Sequence, residues 1–249
     1  MEEGDRRVRP DSLTDFRADL SQDDGISKIN YFYKLSFMII KRNMKYDEFV
    51  SKVRSYAVFG EDVLSTLGFA KAAKRLQLNR WNGAGRVIRL KRGLYTLPEE
   101  RRGVPLSVRW LANTLYSPSY LSLEYMLSWY DMIPERVGVV TSITALKTAA
   151  FQNTLGRFVY RNLKKDLFFG FEEVKDEFGS NVLVATPEKA ILDYIYLYSG
   201  WKSEHSFLEK NIRLQQLDQL NKKRLKEFAK RFSSLKMDQA VKLLLEVAA

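Results

Sequence analysis

The stretch RWNGAGRVIRLKRGLYTLP, residues 80–98, carries five basic side chains, three glycines and no acid. Two short pieces with strand-forming composition, RVIRL and LYTLP, flank KRG, and Gly93 suits a tight reversal between them. The stretch therefore predicts a β-hairpin with arginine and lysine around its turn. Leu90 and Leu94 are expected to pack inward, with Tyr95 bridging core and surface. The absence of acids extends upstream, since none lies between Asp62 and Glu99. So many cations on one hairpin, without compensating carboxylates, point to a polyanionic partner.

What precedes the hairpin decides its context. Tyr46, Phe49, Val50 and Val53 fall at the spacing of one helical face. Gly60 opens EDVLSTLG, whose Glu61 and Asp62 favour the positive end of a second helix, and Gly68 suits its stop. A third helix is expected from about Phe69 to Ala84. Three short helices followed by a hairpin is the order of a winged helix-turn-helix, placed at residues 44–98. On the third helix Lys71, Arg75, Asn79 and Asn82 are spaced four, four and three apart and share one ridge. Two cations and two amides on a ridge suit a major groove, because the cations address phosphate or guanine and asparagine pairs with adenine. Trp81 falls on another face with Ala70, Ala73 and Ala84 and is assigned to the core. Arg89, Lys91 and Arg92 surround the turn and suit the backbone or a narrow minor groove. About six phosphate contacts would give a salt slope near −5.

The rest of the chain reads as mixed α and β. Residues 1–43 look like an N-terminal extension, partly disordered, ahead of a domain start at Met44. ERRGVP (100–105) reads as a linker. LSVRWLANTLY is helical, and Ser119 is expected to cap a helix in YLSLEYMLSWYDM. VGVVTSIT, GRFVYRNL and NVLVAT read as strands. Thr186-Pro187-Glu188 combines a capping residue, a first-turn proline and an acid, a strong helix start. Residues 204–249 look almost wholly helical. The fold class expected is α+β: an N-terminal winged helix-turn-helix, then a mixed α/β domain over 106–249 ending in a helical segment.

Composition sets outer limits. The chain of 249 residues has no cysteine and one histidine, His205. That excludes disulfides, cysteine-ligated metal, thiol nucleophiles and any multi-histidine site. The opening MEEGDRRVRPDSLTDF lacks the apolar region of a secretory signal. The most apolar stretch, INYFYKLSFMIIKRN, is broken by Lys34 and too short to span a bilayer. A cytoplasmic protein without membrane contact is expected. The net charge of +11 is segregated. Residues 46–98 hold ten basic against four acidic residues, and 201–249 hold eleven against six. In the second block NKKRLKEFAKRF, 221–232, predicts an amphipathic helix with a basic outer face. Between the blocks Lys147, Arg157, Arg161, Lys164 and Lys165 are candidates for a further patch. No glycine-rich phosphate loop of the Walker or dinucleotide type is present, and GAGR follows a helix rather than opening one. Glu172 and Glu173 are expected on a loop. Glu188, Lys189 and Asp193 in ATPEKAILD come closest to a nuclease set, but Glu188 is explained by the helix start. No catalytic residue, metal site or cofactor is assigned. A metal-dependent nuclease, or a module whose basic surfaces bind an acidic protein, is the alternative to nucleic-acid binding.

LNRWNGAGRVIRLKRGLYTLP, LANTLYSPSYLSLEYMLSWYDMIPE, VTSITALKTAAFQNTLGRFVYRNLKKDLFFGFE and ATPEKAILDYIYL occur in this order across residues 46–200. Together they resemble AbiEi-type antitoxins, the regulator half of type IV toxin–antitoxin systems. The resemblance implies a winged helix and an α/β antitoxin domain. It also implies repression of the protein's own operon through inverted repeats in promoter DNA, on which two copies per operator would follow from symmetry. The functional partner would be a nucleotidyltransferase-like toxin, countered without a stable complex. Carried over by position, Lys71, Arg75, Arg80, Arg86, Arg89, Lys91 and Arg92 fall in the DNA-binding module. Lys147, Arg161, Lys164 and Lys165 fall in the antitoxic domain. After its TSIT run this chain reads ALKTAA, which leaves Lys147 as the one cation there.

Overall fold

The computed structural model describes residues 44–67, 71–202 and 212–247, with the side chains of 71–73 outside that set. The N-terminal extension, Gly68, the expected helix start at Phe69 and His205 lie outside the described residues. The chain is an α+β structure with two hydrophobic clusters.

The smaller cluster is built by residues 44–98. Helices α1 (Tyr46–Val53), α2 (Glu61–Thr66) and α3 (Lys71–Gly83) precede a hairpin of β1 (Ile88–Lys91) and β2 (Leu94–Thr96). Phe49 and Val53 face inward, as their spacing requires, and meet Phe59, Leu64, Leu78 and Trp81. The Phe49 ring lies 4.7 Å from Trp81 and 5.5 Å from Phe59. Phe59 also pairs with Tyr95 through two backbone hydrogen bonds of 2.8 and 3.0 Å, which adds a third, one-residue rung to the hairpin. Lys74 is enclosed and donates to the Glu61 carboxylate at 3.2 Å, fixing α3 against α2.

The larger cluster surrounds a six-stranded mixed sheet. Its strands are β3 (Ser119–Leu121), β4 (Val139–Thr144), β5 (Ala149–Asn153), β6 (Gly156–Asn162), β7 (Phe171–Lys175) and β8 (Asn181–Ala185). They lie in the order β5-β6-β4-β3-β8-β7. The β4–β6 and β3–β8 neighbours are parallel and the others antiparallel. Helix α4 (Val108–Leu115) covers one face, where the buried Tyr160 hydroxyl donates to the Ala112 carbonyl at 2.6 Å. Helices α5 (Leu123–Trp129) and α6 (Pro187–Leu197) cover the other. Helices α7 (Lys222–Arg231) and α8 (Leu235–Val247) close the structure against α6.

Three expectations need correction, and one strand is an addition. Ser119 does not cap a helix. Residues 119–121 form a buried central strand with β4 and β8 on either side, and the helix starts three residues later from Ser122. Two waiting strands satisfy those backbone groups better than one capping hydroxyl. Glu172 and Glu173 lie on the edge strand β7, not a loop, paired with Val184 and Leu183. Strand β5 is an addition, since AAFQN has no β-branched residue to announce it. Residues 100–105 are not a loose linker. The Arg102 guanidinium donates to Val104, Leu97 and Thr96, and the Gly103 amide donates to the Arg54 carbonyl at 2.8 Å. A Cβ on Gly103 would meet that carbonyl at 3.0 Å.

The helix start at Thr186-Pro187-Glu188 forms as expected, with Thr186 Oγ1 accepting from the Lys189 amide. Its first two turns carry three fully buried charges. Glu188 Oε2 accepts from Arg224 Nε at 2.7 Å, and Oε1 accepts from the Asn221 amide at 2.7 Å. Lys189 pairs with Asp193, whose other oxygen accepts from Tyr120 and Ser122, both at 2.9 Å. Burial pushes the Asp193 carboxyl up and the Lys189 amine down, each opposed by the attraction of its partner. Removing one partner of such a pair strands the other, whereas an apolar pair of similar volume is tolerated. Lys189→Met is therefore expected to cost about 3–5 kcal/mol of unfolding free energy. Lys189→Met with Asp193→Leu should recover part of it and not the whole, because the buried Tyr120 and Ser122 hydroxyls lose their acceptor, and urea unfolding of both variants checks the contrast.

Candidate nucleic-acid interface

Helix α3 exposes one side because its apolar positions do not close around it. Leu78 and Trp81 are buried, while Arg75, Leu76, Asn79, Arg80 and Asn82 are exposed. Beside it the hairpin brings Arg89 and Arg92 to the surface. Arg75 and Asn79 from α3, with Arg89, Arg92 and Gly93 from the hairpin, line one cleft of about 300 Å³. Leu64, Leu78 and Tyr95 form apolar parts of its wall. Glu61 is the one acid there, and Lys74 holds it. Arg75, Arg89 and Arg92 make no ion pair with another described residue. Gly93 takes φ of +78°, the turn conformation that glycine adopts without strain.

The other candidates are placed differently. Asn82 lies on the Arg75–Asn79 ridge, but its Oδ1 accepts from the Arg89 amide at 2.9 Å. It ties the hairpin to α3, and the oxygen an adenine contact would use is engaged. Arg80 is exposed on α3 and is not among the residues that line the cleft of Arg89 and Arg92. Arg86 stacks its guanidinium 5.3 Å from the Tyr46 ring and lines a separate cleft with Asp47 and Glu100. The side chain of Lys71 lies outside the described residues.

Lys91 departs most from the sequence reading. Strict alternation would put it beside Arg89. The β1–β2 register shifts between these residues, from Arg89 opposite Tyr95 to Lys91 opposite Leu94. A bulge of this kind re-aims the side chain after it. Lys91 Nζ instead donates to the Leu115 carbonyl at 2.6 Å and sits 6.0 Å from the Phe151 ring. Leu90 beside it is fully buried in the larger core, and Asn153 of β5 donates to the Leu90 carbonyl at 3.2 Å. The inner side of the hairpin is thus docked on the edge of the main sheet. Sequence periodicity carried no sign of this, because a bulge leaves residue types unchanged.

A second basic region lies on the larger body. Lys147 sits in the turn from β4 to β5, and Arg161 near the end of β6. Lys164 and Lys165 follow directly. All four are exposed. They emerge from one end of the sheet, where Asn162 Nδ2 donates to the Leu146 carbonyl at 2.6 Å and the Leu163 amide to Thr144 at 2.9 Å. Helix α7 has the amphipathic form expected, with Leu225 and Ala229 inward. Two of its cations are structural. Arg224 holds Glu188, and the Arg231 guanidinium lies 3.5 Å from the Phe169 ring centre and reaches the Asp166 carbonyl. That last contact sets the end of α7 beside Lys164 and Lys165. The ATPEKAILD carboxylates do not reach the surface, since Glu188 and Asp193 are enclosed and bonded.

No family model matches the chain, and no curated protein matches it either. No described helix is long and apolar enough to cross a membrane.

The separation of roles on the hairpin can be measured. Lys91→Ala removes a charged donor from a carbonyl and is expected to lower unfolding free energy by about 1.5–3 kcal/mol. Arg92→Ala, one residue further along and exposed, should stay within about 0.5 kcal/mol of wild type. Urea midpoints of the two variants make the comparison.

Proposed function

We propose that the chain is a DNA-binding autorepressor and antitoxin of the AbiEi type, acting in the cytoplasm on its own type IV toxin–antitoxin operon. On this reading residues 44–98 are a winged helix-turn-helix. The Phe59–Tyr95 rung is the third strand of its small sheet, α3 the helix that enters a major groove, and the β1–β2 turn the wing. Residues 106–249 form the antitoxin domain. The observation that carries the reading is the convergence of Arg75 and Asn79 with Arg89 and Arg92 on one cleft. The first pair suits base edges and the second suits phosphates. The ordered sequence blocks that resemble AbiEi-type antitoxins supply the regulatory role. Occupation of promoter DNA by two copies on an inverted repeat would then exclude polymerase.

Gel-shift titration with DNA from upstream of the protein's own gene tests this. The wild type should bind in the low-salt range and weaken steeply as salt rises. Arg89→Ala with Arg92→Ala should weaken binding and reduce the magnitude of the salt slope by about 2. No shift at about 50 mM salt, beside a tight complex with an acidic protein, would replace DNA by a protein partner.

The antitoxic half gives a separate test. The toxin is taken to be a nucleotidyltransferase-like product of the adjacent gene, met without a stable complex. Lys164→Glu with Lys165→Glu should abolish rescue of cells expressing it, while repression of a promoter fusion stays intact. Full rescue by this variant would remove those lysines from the antitoxic role.

A further inference from the structure

Leu76 does not fit the packing logic of its helix. α3 already buries Leu78 and Trp81, and a leucine two positions before Leu78 points away from them. Leu76 is 54% exposed, and Arg75, Asn79 and Arg80 beside it on α3 are polar or charged. In helical projection it lies beyond Asn79 on the side away from the buried face, with Arg75 and Asn79 between it and the hairpin. Among the described residues no other element covers it.

We infer that Leu76 reads thymine methyl groups in the major groove. The inference rests on the proposed DNA-binding function. If Arg75 and Asn79 enter a groove, Leu76 enters with them. A leucine there has no hydrogen bond to offer, so the groups it can usefully cover are the C5-methyls of thymine. Covering one removes apolar surface of leucine and methyl together from water. The gain expected is about fourfold in affinity for each methyl, from about 0.8 kcal/mol per buried carbon group. Leu76 would then determine a preference for A·T pairs under the middle of α3, while Arg75 and Asn79 address neighbouring base edges.

The experiment uses the full chain and two versions of the same upstream duplex, one amplified with dTTP and one with dUTP. Uracil lacks the methyl and keeps the pairing. Wild type should bind the uracil duplex about fourfold or more weakly. Leu76→Ala should bind both within about twofold, at the weaker wild-type level, with an unchanged salt slope because no phosphate contact is lost. Its melting temperature should match wild type, since the side chain is exposed. Equal binding of both duplexes by wild type overturns the inference and leaves the DNA-binding function standing. So does a uracil penalty that persists in Leu76→Ala, which would reflect duplex shape rather than methyl contact. If wild type binds neither duplex, both the function and the inference fall.

Discussion

The larger body of this protein depends on three buried charges in the first two turns of one helix. Lys189 and Asp193 share one face of α6 and Glu188 projects from another, and all three are enclosed. Asp193 looks back to the sheet, where Tyr120 and Ser122 donate to it. Glu188 looks outward to α7, through Arg224 and the Asn221 amide. Lys189 lies between, 4.8 Å from Phe169 and 5.1 Å from Phe232. Gly170 permits this closeness, since a Cβ there would come within 2.8 Å of Phe228 and 3.1 Å of the Lys189 stem. Buried charges of this kind add little net stability compared with apolar packing, but they penalise every alternative seating. The placement of the C-terminal helices is therefore specified as well as stabilised.

The same economy operates at the hairpin. Its strand has two sides, and the bulge between Arg89 and Lys91 divides their labour. One side is committed to the sheet edge through Leu90, Lys91 and Asn153. The other presents Arg89 and Arg92 beside α3. Asn82 links the two halves of the cleft by holding the Arg89 amide. Cations that would repel one another on a free hairpin are held in place by an inner side whose hydrogen bonds to the larger body are partly buried. An arginine pair so braced loses less conformational freedom when it meets a phosphate than one on a mobile turn.

Much of this was legible in the residues. The first helix, the hairpin, the burial of Trp81 and the Thr186 cap follow from periodicity and local backbone chemistry, which act over a few residues. So does the exposed pair Arg75 and Asn79. The remainder depends on partners distant in sequence. Ser119–Leu121 looked like a helix entry because its place between β4 and β8 is set by residues 21 to 63 positions away. Strand β5 has an unremarkable composition and exists because β6 pairs with it. The commitment of Lys91 came from a register shift that no residue type encodes.

Net charge was the coarsest guide, and the structure refines what it means. Basic residues crowd both ends of the described chain, yet several are consumed internally. Lys74 neutralises Glu61, Lys91 serves a carbonyl, Arg224 serves Glu188, and Arg231 lies on Phe169. Of what remains at the surface, two groups differ in type: arginines at the α3–hairpin cleft, and lysines with Arg161 at the end of the sheet. Arginine offers a planar fork for base or phosphate, whereas lysine offers a hydrated point charge. The two groups therefore differ in side-chain chemistry as well as in place, a difference that the proposed division between DNA binding and antitoxicity would use.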